Sequence, residues 1–188
     1  MANLRGVHLY SVVAEAEFVT YDDHEVIRSV REDAEYRLEK MAIERKTFYK
    51  AVLHDGPATF PAGLRAVWAF AKLDASVSMN GFDGTIDNGY APMFPFAAEG
   101  FRLMGLNDLA KVVDQVITFA APMVALRAKS EADVMFDPFE DEQMEPYKSA
   151  RCEVSRLSGE FWRFSKPAVP VVAMFVRQNP DLIRVSPF

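Results

Sequence analysis

Ser76-Val77-Ser78-Met79-Asn80-Gly81-Phe82-Asp83-Gly84-Thr85-Ile86-Asp87-Asn88-Gly89-Tyr90 stands between two groups of helical patterns. Upstream of it, residues 64–79 carry Val67, Trp68, Phe70, Ala71, Leu73, Ala75 and Val77, with charge only at Arg65, Lys72 and Asp74. A helix apolar over most of its circumference is enclosed by other helices. Burying Trp68 or Phe70 contributes about 1.5 to 3 kcal/mol each, so this is the helix the others cover. The Gly and Asn that follow mark backbone visiting positive φ. The stretch therefore reads as a specified turn built on Asn80, Gly81, Phe82 and Asn88, a structural helix connection in which Phe82 plugs the core.

Working outward, residues 92–104 present Phe94, Ala97, Phe101 and Met104 at helical spacing, and Gly105 stands where a C′ glycine belongs. Asn107 is placed to cap the next helix. There Leu109, Val112, Val113, Val116, Ile117 and Ala120 share one face, and Asp108, Lys111, Gln115 and Thr118 the other, before Pro122 kinks or ends it. On the N-terminal side, Asp22 or Asp23 supplies an N-cap and Glu25 puts negative charge in the first turn. Ile27, Val30, Ala34, Leu38 and Met41 then trace a long amphipathic helix toward Phe48 and Val52, with room for one break. Asp33 and Arg37 pair at i,i+4 on its wet face, worth about 0.3 to 0.5 kcal/mol. His54-Asp55-Gly56-Pro57 ends it, with Gly56 suited to a left-handed cap.

Residues 147–156 resume helical character, residues 158–164 gather Phe161, Trp162 and Phe164, and Pro167 opens a last helix that stops at Asn179-Pro180. Pro138 and Pro146 argue against one continuous helix through this region. In residues 1–21 the alternation of Val12, Ala14, Ala16 and Phe18 suits a strand or a frayed helix, and the strand is favoured. The expected fold is mainly all-α. It is a single-domain bundle of roughly six to eight helices over residues 22–188, with an acidic connecting segment at 129–146 and an N-terminal extension, 1–21, with room for a short strand.

At 188 residues, half of them hydrophobic, the chain can fill one core. Acids outnumber Lys and Arg 27 to 21, a balance that argues against direct nucleic-acid binding, since neutralising phosphates needs the opposite excess. The acidity is local. Glu131, Asp133, Asp137, Glu140, Asp141, Glu142 and Glu145 face only Lys129, so residues 129–145 net −6 and the remainder of the chain sums to zero. These seven carboxylates are the candidate binding surface, and a protein partner with a basic surface is the expected counterpart. A lone cysteine, Cys152, fits a reducing, cytoplasmic setting and is expected to be a buried or half-buried structural thiol. No apolar run is long enough to span a bilayer, and the N-terminus lacks a signal-peptide pattern.

Chemistry is hard to find in these residues. His8, His24 and His54 have no metal-ligand spacing, and His54 reads as a turn residue at a helix end. Asp83-Gly84-Thr85-Ile86-Asp87-Asn88-Gly89 has the composition of a calcium loop but not its register: with Gly89 as the sixth position, Gly84 would stand where the first Asp belongs and Pro95 where the bidentate Glu belongs. No phosphate loop, nucleophile elbow or kinase signature is present. The reading calls for no catalytic residues, no metal and no cofactor, and leans away from an enzyme. A hydrolase would have to use His54, Asp83 or the acidic segment. An adaptor- or immunity-type module would instead use apolar surface around Phe161, Trp162 and Phe164.

The stretch Met79-Asn80-Gly81-Phe82, followed by Thr85-Ile86, Asn88 and Leu103-Met104-Gly105-Leu106, resembles a bacterial helical family described as a domain of unknown function whose best-known member is a DNA mimic. Gly159-Glu160-Phe161-Trp162 and Phe175-Val176-Arg177-Gln178-Asn179-Pro180 are similar to that family's closing helices, and the likeness covers more than half the chain. Asn80 stands where the family has its first Gly, a replacement that left-handed backbone tolerates best among non-glycine residues. The resemblance implies a dimeric, acidic, all-helical protein that presents carboxylates in place of phosphates to the DNA-contacting face of a regulator.

Overall fold

The computed structural model describes residues 21–132 and 141–183, and of residues 129–132 and 141–144 the backbone only. Among the described residues the fold is all-α, with eight α-helices, two short 3-10 helices and no strand. The strand expected in residues 1–21 falls outside the described residues, which begin at Tyr21.

Helix α1, Asp23–Glu44, starts on a capping box. The Glu25 N–H donates to Asp22 Oδ1 at 2.8 Å and the Asp22 N–H to Glu25 Oε2 at 3.2 Å, which satisfies two of the free donors at a helix start. Val26, Ile27, Val30, Ala34, Leu38 and Ala42 form its buried face. The Asp33–Arg37 pair forms at 2.9 Å, with each side chain only 14% exposed, so it is more desolvated than a wet-face pair. The break in this helix falls at residues 45–48, where Lys46 takes φ 52. The Lys46 N–H reaches Ile43 O and the Thr47 N–H reaches Ala42 O, the two bonds of a Schellman motif with a lysine where glycine is usual. Helix α2, Tyr49–Val52, and a 3-10 turn, Gly56–Thr59, follow. Gly56 is not left-handed as expected. It is there for space, since a Cβ would lie 2.5 Å from Val52 Cγ1 and 2.9 Å from Leu38 Cδ2.

Helix α3, Ala62–Asp87, is the centre of the fold. Residues 66–70 are buried without interruption, which on a helix means cover on every side. It packs against α1, against α4 (Phe94–Leu103) and against α7 (Asp141–Gln178). The α3–α4 crossing is close because Gly100 has no side chain: a Cβ there would stand 2.7 Å from Ala66 Cα. Phe94, Ala97, Phe101 and Met104 are all buried, and Gly105 ends α4 at φ 76 with the same pair of capping bonds seen at Lys46. Helix α5, Asn107–Phe119, begins without a side-chain cap: Asn107 is the first helical residue, and Leu106 holds the cap position. Its buried face holds Leu109, Val112, Val113 and Val116 as expected, whereas Ile117 is 38% exposed. Helix α6, Ala121–Ala132, departs from α5 at 51° just ahead of Pro122.

The largest correction concerns α7. The prolines suggested separate helices over 147–156, 158–164 and from Pro167, but one helix of 38 residues runs through Pro146, Pro167 and Pro170. Its buried residues Ala150, Val154, Leu157, Phe161, Ser165, Ala168, Val172 and Val176 keep three- and four-residue spacing across the prolines. A continuous apolar stripe against α1, α3, α5 and α6 outweighs the lost backbone bonds. Pro167 and Pro170 lie on the exposed side, where bending costs least. Helix α8, Pro180–Ile183, folds onto the start of α3, where Gly63 leaves room for the Leu182 carbonyl. Cys152 is exposed on α7, not buried. Among the described residues no single helix is long and apolar enough to cross a membrane.

Candidate functional site

The stretch around Gly81 contains a break inside α3. Gly81 has φ 68 and ψ 178, a conformation essentially closed to residues with a Cβ, while Asn80 before it does not take positive φ. The break removes the Phe82 N–H from the helical ladder, and Ser158 Oγ on α7 accepts it at 2.8 Å. The Thr85 hydroxyl donates to Gly81 O at 2.7 Å and therefore accepts from Ser76 Oγ at 2.9 Å. Phe82 is fully buried and meets the rings of Phe94 and Phe161 edge-on, with centroids 5.8 and 5.3 Å away. The helix resumes to Asp87, where Asn88 is the C-cap and Gly89, at φ 77, takes the left-handed position. Asn80 and Asn88 both point to the exposed side, beside a charged groove.

That groove runs between α1 and α3 and has a volume of about 610 Å³. At its base is Glu35. Its Oε2 accepts the Tyr49 hydroxyl at 2.5 Å, and its Oε1 accepts the Trp68 indole N–H at 3.1 Å and lies 3.2 Å from Lys72 Nζ. Burial, then the charge of Glu35 and the hydrogen bond to it, push the Tyr49 hydroxyl well above the usual tyrosine range. Lys72 lies over the rings of Tyr49 and Tyr90, and Lys50 over Tyr90 from 5.6 Å. A second, apolar groove of about 440 Å³ lies where α5 and α6 meet the start of α4, lined by Pro92, Pro95, Ile117, Val124 and Ala128 among others, with His54 at its rim.

The predicted acidic residues divide between helix and undescribed chain. Asp133, Asp137 and Glu140 lie outside the described residues. Glu131 is on the last turn of α6, Asp141 and Glu142 open α7, and Glu145 is exposed one turn on. His54 is exposed, and Asp83 is held 3.2 Å from Arg151 Nε. The three aromatics of the expected apolar surface separate: Phe161 is fully buried, Phe164 is half-buried, and Trp162 is 44% exposed. Among the described residues no group of three or more His, Cys, Asp or Glu side chains could hold a metal.

Residues 58–179 match the model of a family described as DMP19-like protein, over more than half the chain. The chain belongs to the DMP19-like family. The match is in keeping with the resemblance carried by the Gly81 stretch. Comparison with curated proteins and with solved structures finds no match. The DMP19-like region spans α3 to the end of α7, so it contains the Gly81 break and the acidic segment but not α1. Sequence reasoning missed the Glu35 network because its members come from three elements, with Tyr49 and Trp68 lying 14 and 33 residues from Glu35. One signal was available. A buried indole N–H needs an acceptor, and Lys72 one turn from Trp68 on an otherwise apolar helix needs a carboxylate.

Proposed function

We propose that the chain is a protein-binding domain that acts as a DNA mimic, docking its acidic segment on the nucleic-acid-contacting surface of a regulator. The observation that carries this reading is the confinement of the whole net charge of −6 to residues 129–145 in a chain of the DMP19-like family. Elsewhere the protein neutralises itself locally. Arg45 pairs with Asp55, Arg65 with Glu99, Arg102 with Asp114, Arg151 with Asp83, Arg156 with Glu160 and Arg177 with Asp23. A field from this surface therefore comes mainly from the segment between α6 and α7.

Helical backbone at the edge of that segment sets the spacing of its carboxylates. Asp141, Glu142 and Glu145 lie within the first turns of α7, and at about 1.5 Å per residue they span about 6 Å of axis. Duplex DNA places a phosphate every roughly 3.4 Å along each strand. The helix N-terminus also favours carboxylates there. The test is capture of DNA-binding proteins from the host on the immobilised full chain, followed by titration with salt and with duplex DNA. Mimicry predicts that affinity falls steeply with ionic strength and that DNA competes for the same partner. A complex indifferent to both would overturn it.

A second reading, an adaptor- or immunity-type module working through apolar surface, is supported by the α5–α6 groove and by Phe48, 85% exposed beside its continuation. A Val124→Asp variant separates the two: it abolishes partner binding under the second reading and leaves it intact under the first.

A further inference from the structure

Among the described residues, four charged side chains lining the α1–α3 groove, Arg31, Glu32, Glu39 and Lys50, make no ion pair, and Lys50 lies over the Tyr90 ring. The reason is local. Arg31 and Glu35 are one turn apart on α1, but both oxygens of Glu35 are already engaged by Tyr49, Trp68 and Lys72. The groove thus keeps two cations and two carboxylates open while its base is closed by a saturated network. Taken together its lining is neutral, with Arg31, Lys50 and Lys72 against Glu32, Glu35 and Glu39.

This balance selects among ligand classes. A phosphate-like anion would meet three carboxylates, a polyamine would meet three cations, and a purely apolar molecule would strip water from open charges with nothing in return. A molecule bearing one charge of each sign satisfies both sets. We propose that the groove binds a zwitterion of the α-amino-acid or dipeptide class, its carboxylate on Arg31 and Lys50 and its ammonium on Glu32 and Glu39. Met79, 80% exposed, and Ala75 supply the apolar wall for its side chain, and the Asn80 and Asn88 amides stand at the edge for its peptide or carboxylate oxygens. The volume of about 610 Å³ holds either ligand. The α1 side of the groove lies outside the DMP19-like match and its α3 side lies within it.

The experiment uses the full chain with two probe sets, the free L-amino acids and the dipeptides Ala-Ala, Ala-Glu and Ala-Lys, each beside its N-acetyl and C-amide forms. Calorimetry and amide chemical shifts are the readouts. The expected result is saturable binding of at least one free zwitterion, with shifts at Arg31, Asn80 and Tyr90, and a loss of about tenfold or more on capping either end. Which set binds distinguishes a free metabolite from a peptide. In Arg31→Gln the advantage of the free acid over the C-amide should shrink by about threefold or more, and in Glu39→Gln that of the free amine over the N-acetyl form, with unfolding of both variants unchanged. Absence of saturable binding by every probe, or equal binding of free and capped forms to the unmodified chain, overturns the proposal.

Discussion

Gly81 and Lys46 both hold positive φ, one at a position open to glycine alone and the other without the residue that would relieve it. A Cβ on Gly81 would sit 2.7 Å from Asp83 Oδ1 and 3.3 Å from Ser158 Oγ, in addition to the backbone strain. Gly81→Ala is therefore expected to cost about 2 to 3 kcal/mol in urea denaturation, whereas Asn80→Ala, exposed and without positive φ, stays within about 0.5 kcal/mol. Equal effects would mean that the break is not what fixes this stretch. At Lys46 the sign reverses: Lys46→Gly keeps the Schellman bonds, removes the left-handed penalty and should stabilise the chain by about 0.5 to 1 kcal/mol. Tyr49 carries a pH dependence. Its folded pKa lies above the ordinary 10.0, so the stabilisation is complete below that value and is lost as pH rises beyond it. Tyr49→Phe should lower stability at neutral pH by about 1 to 3 kcal/mol, through the lost bond to Glu35, and flatten the alkaline limb of the stability profile. A variant whose alkaline limb matched that of the parent chain would assign the titration elsewhere.

Helices were legible in the sequence wherever the apolar period was unbroken, and their boundaries wherever a side chain or a glycine ended them. The Asp22–Glu25 capping box, the enclosed α3 and Gly105 at the end of α4 all follow from residues visible in one dimension. Two kinds of feature did not. A left-handed lysine gives no compositional sign, so the end of α1 could be placed only loosely. Proline in α7 signals a helix end locally, but its cost of about 3 kcal/mol or more is met by burial against four other helices, which only the packed structure reveals. Since Pro170 is exposed and interrupts the ladder through its missing N–H and its ring, Pro170→Ala should raise stability by about 1 to 3 kcal/mol, read from the denaturation midpoint. A loss of stability instead would show that the bend itself is needed for α7 to follow the core. The polar contacts at Glu35 were hidden for a related reason, since periodicity reports which face is buried and not which polar groups meet there.

For the molecule as a whole, the distribution of charge matters more than its total. If docking depends on the segment between α6 and α7, then two variants with the same change in net charge should behave differently. One replaces Asp141, Glu142 and Glu145 by their amides, and the other does the same to Asp55, Glu99 and Asp114, which pair with Arg45, Arg65 and Arg102. Both remove three negative charges from a chain of formal charge −6. The first should weaken partner binding by about tenfold or more and flatten its salt dependence, because fewer charges then face the partner's cations. The second should leave affinity within about twofold and show its effect as a small loss of stability, since exposed pairs contribute little. Equal losses of affinity in the two variants would assign recognition to net charge, equal indifference would assign it to an apolar surface, and only the predicted asymmetry ties it to residues 129–145.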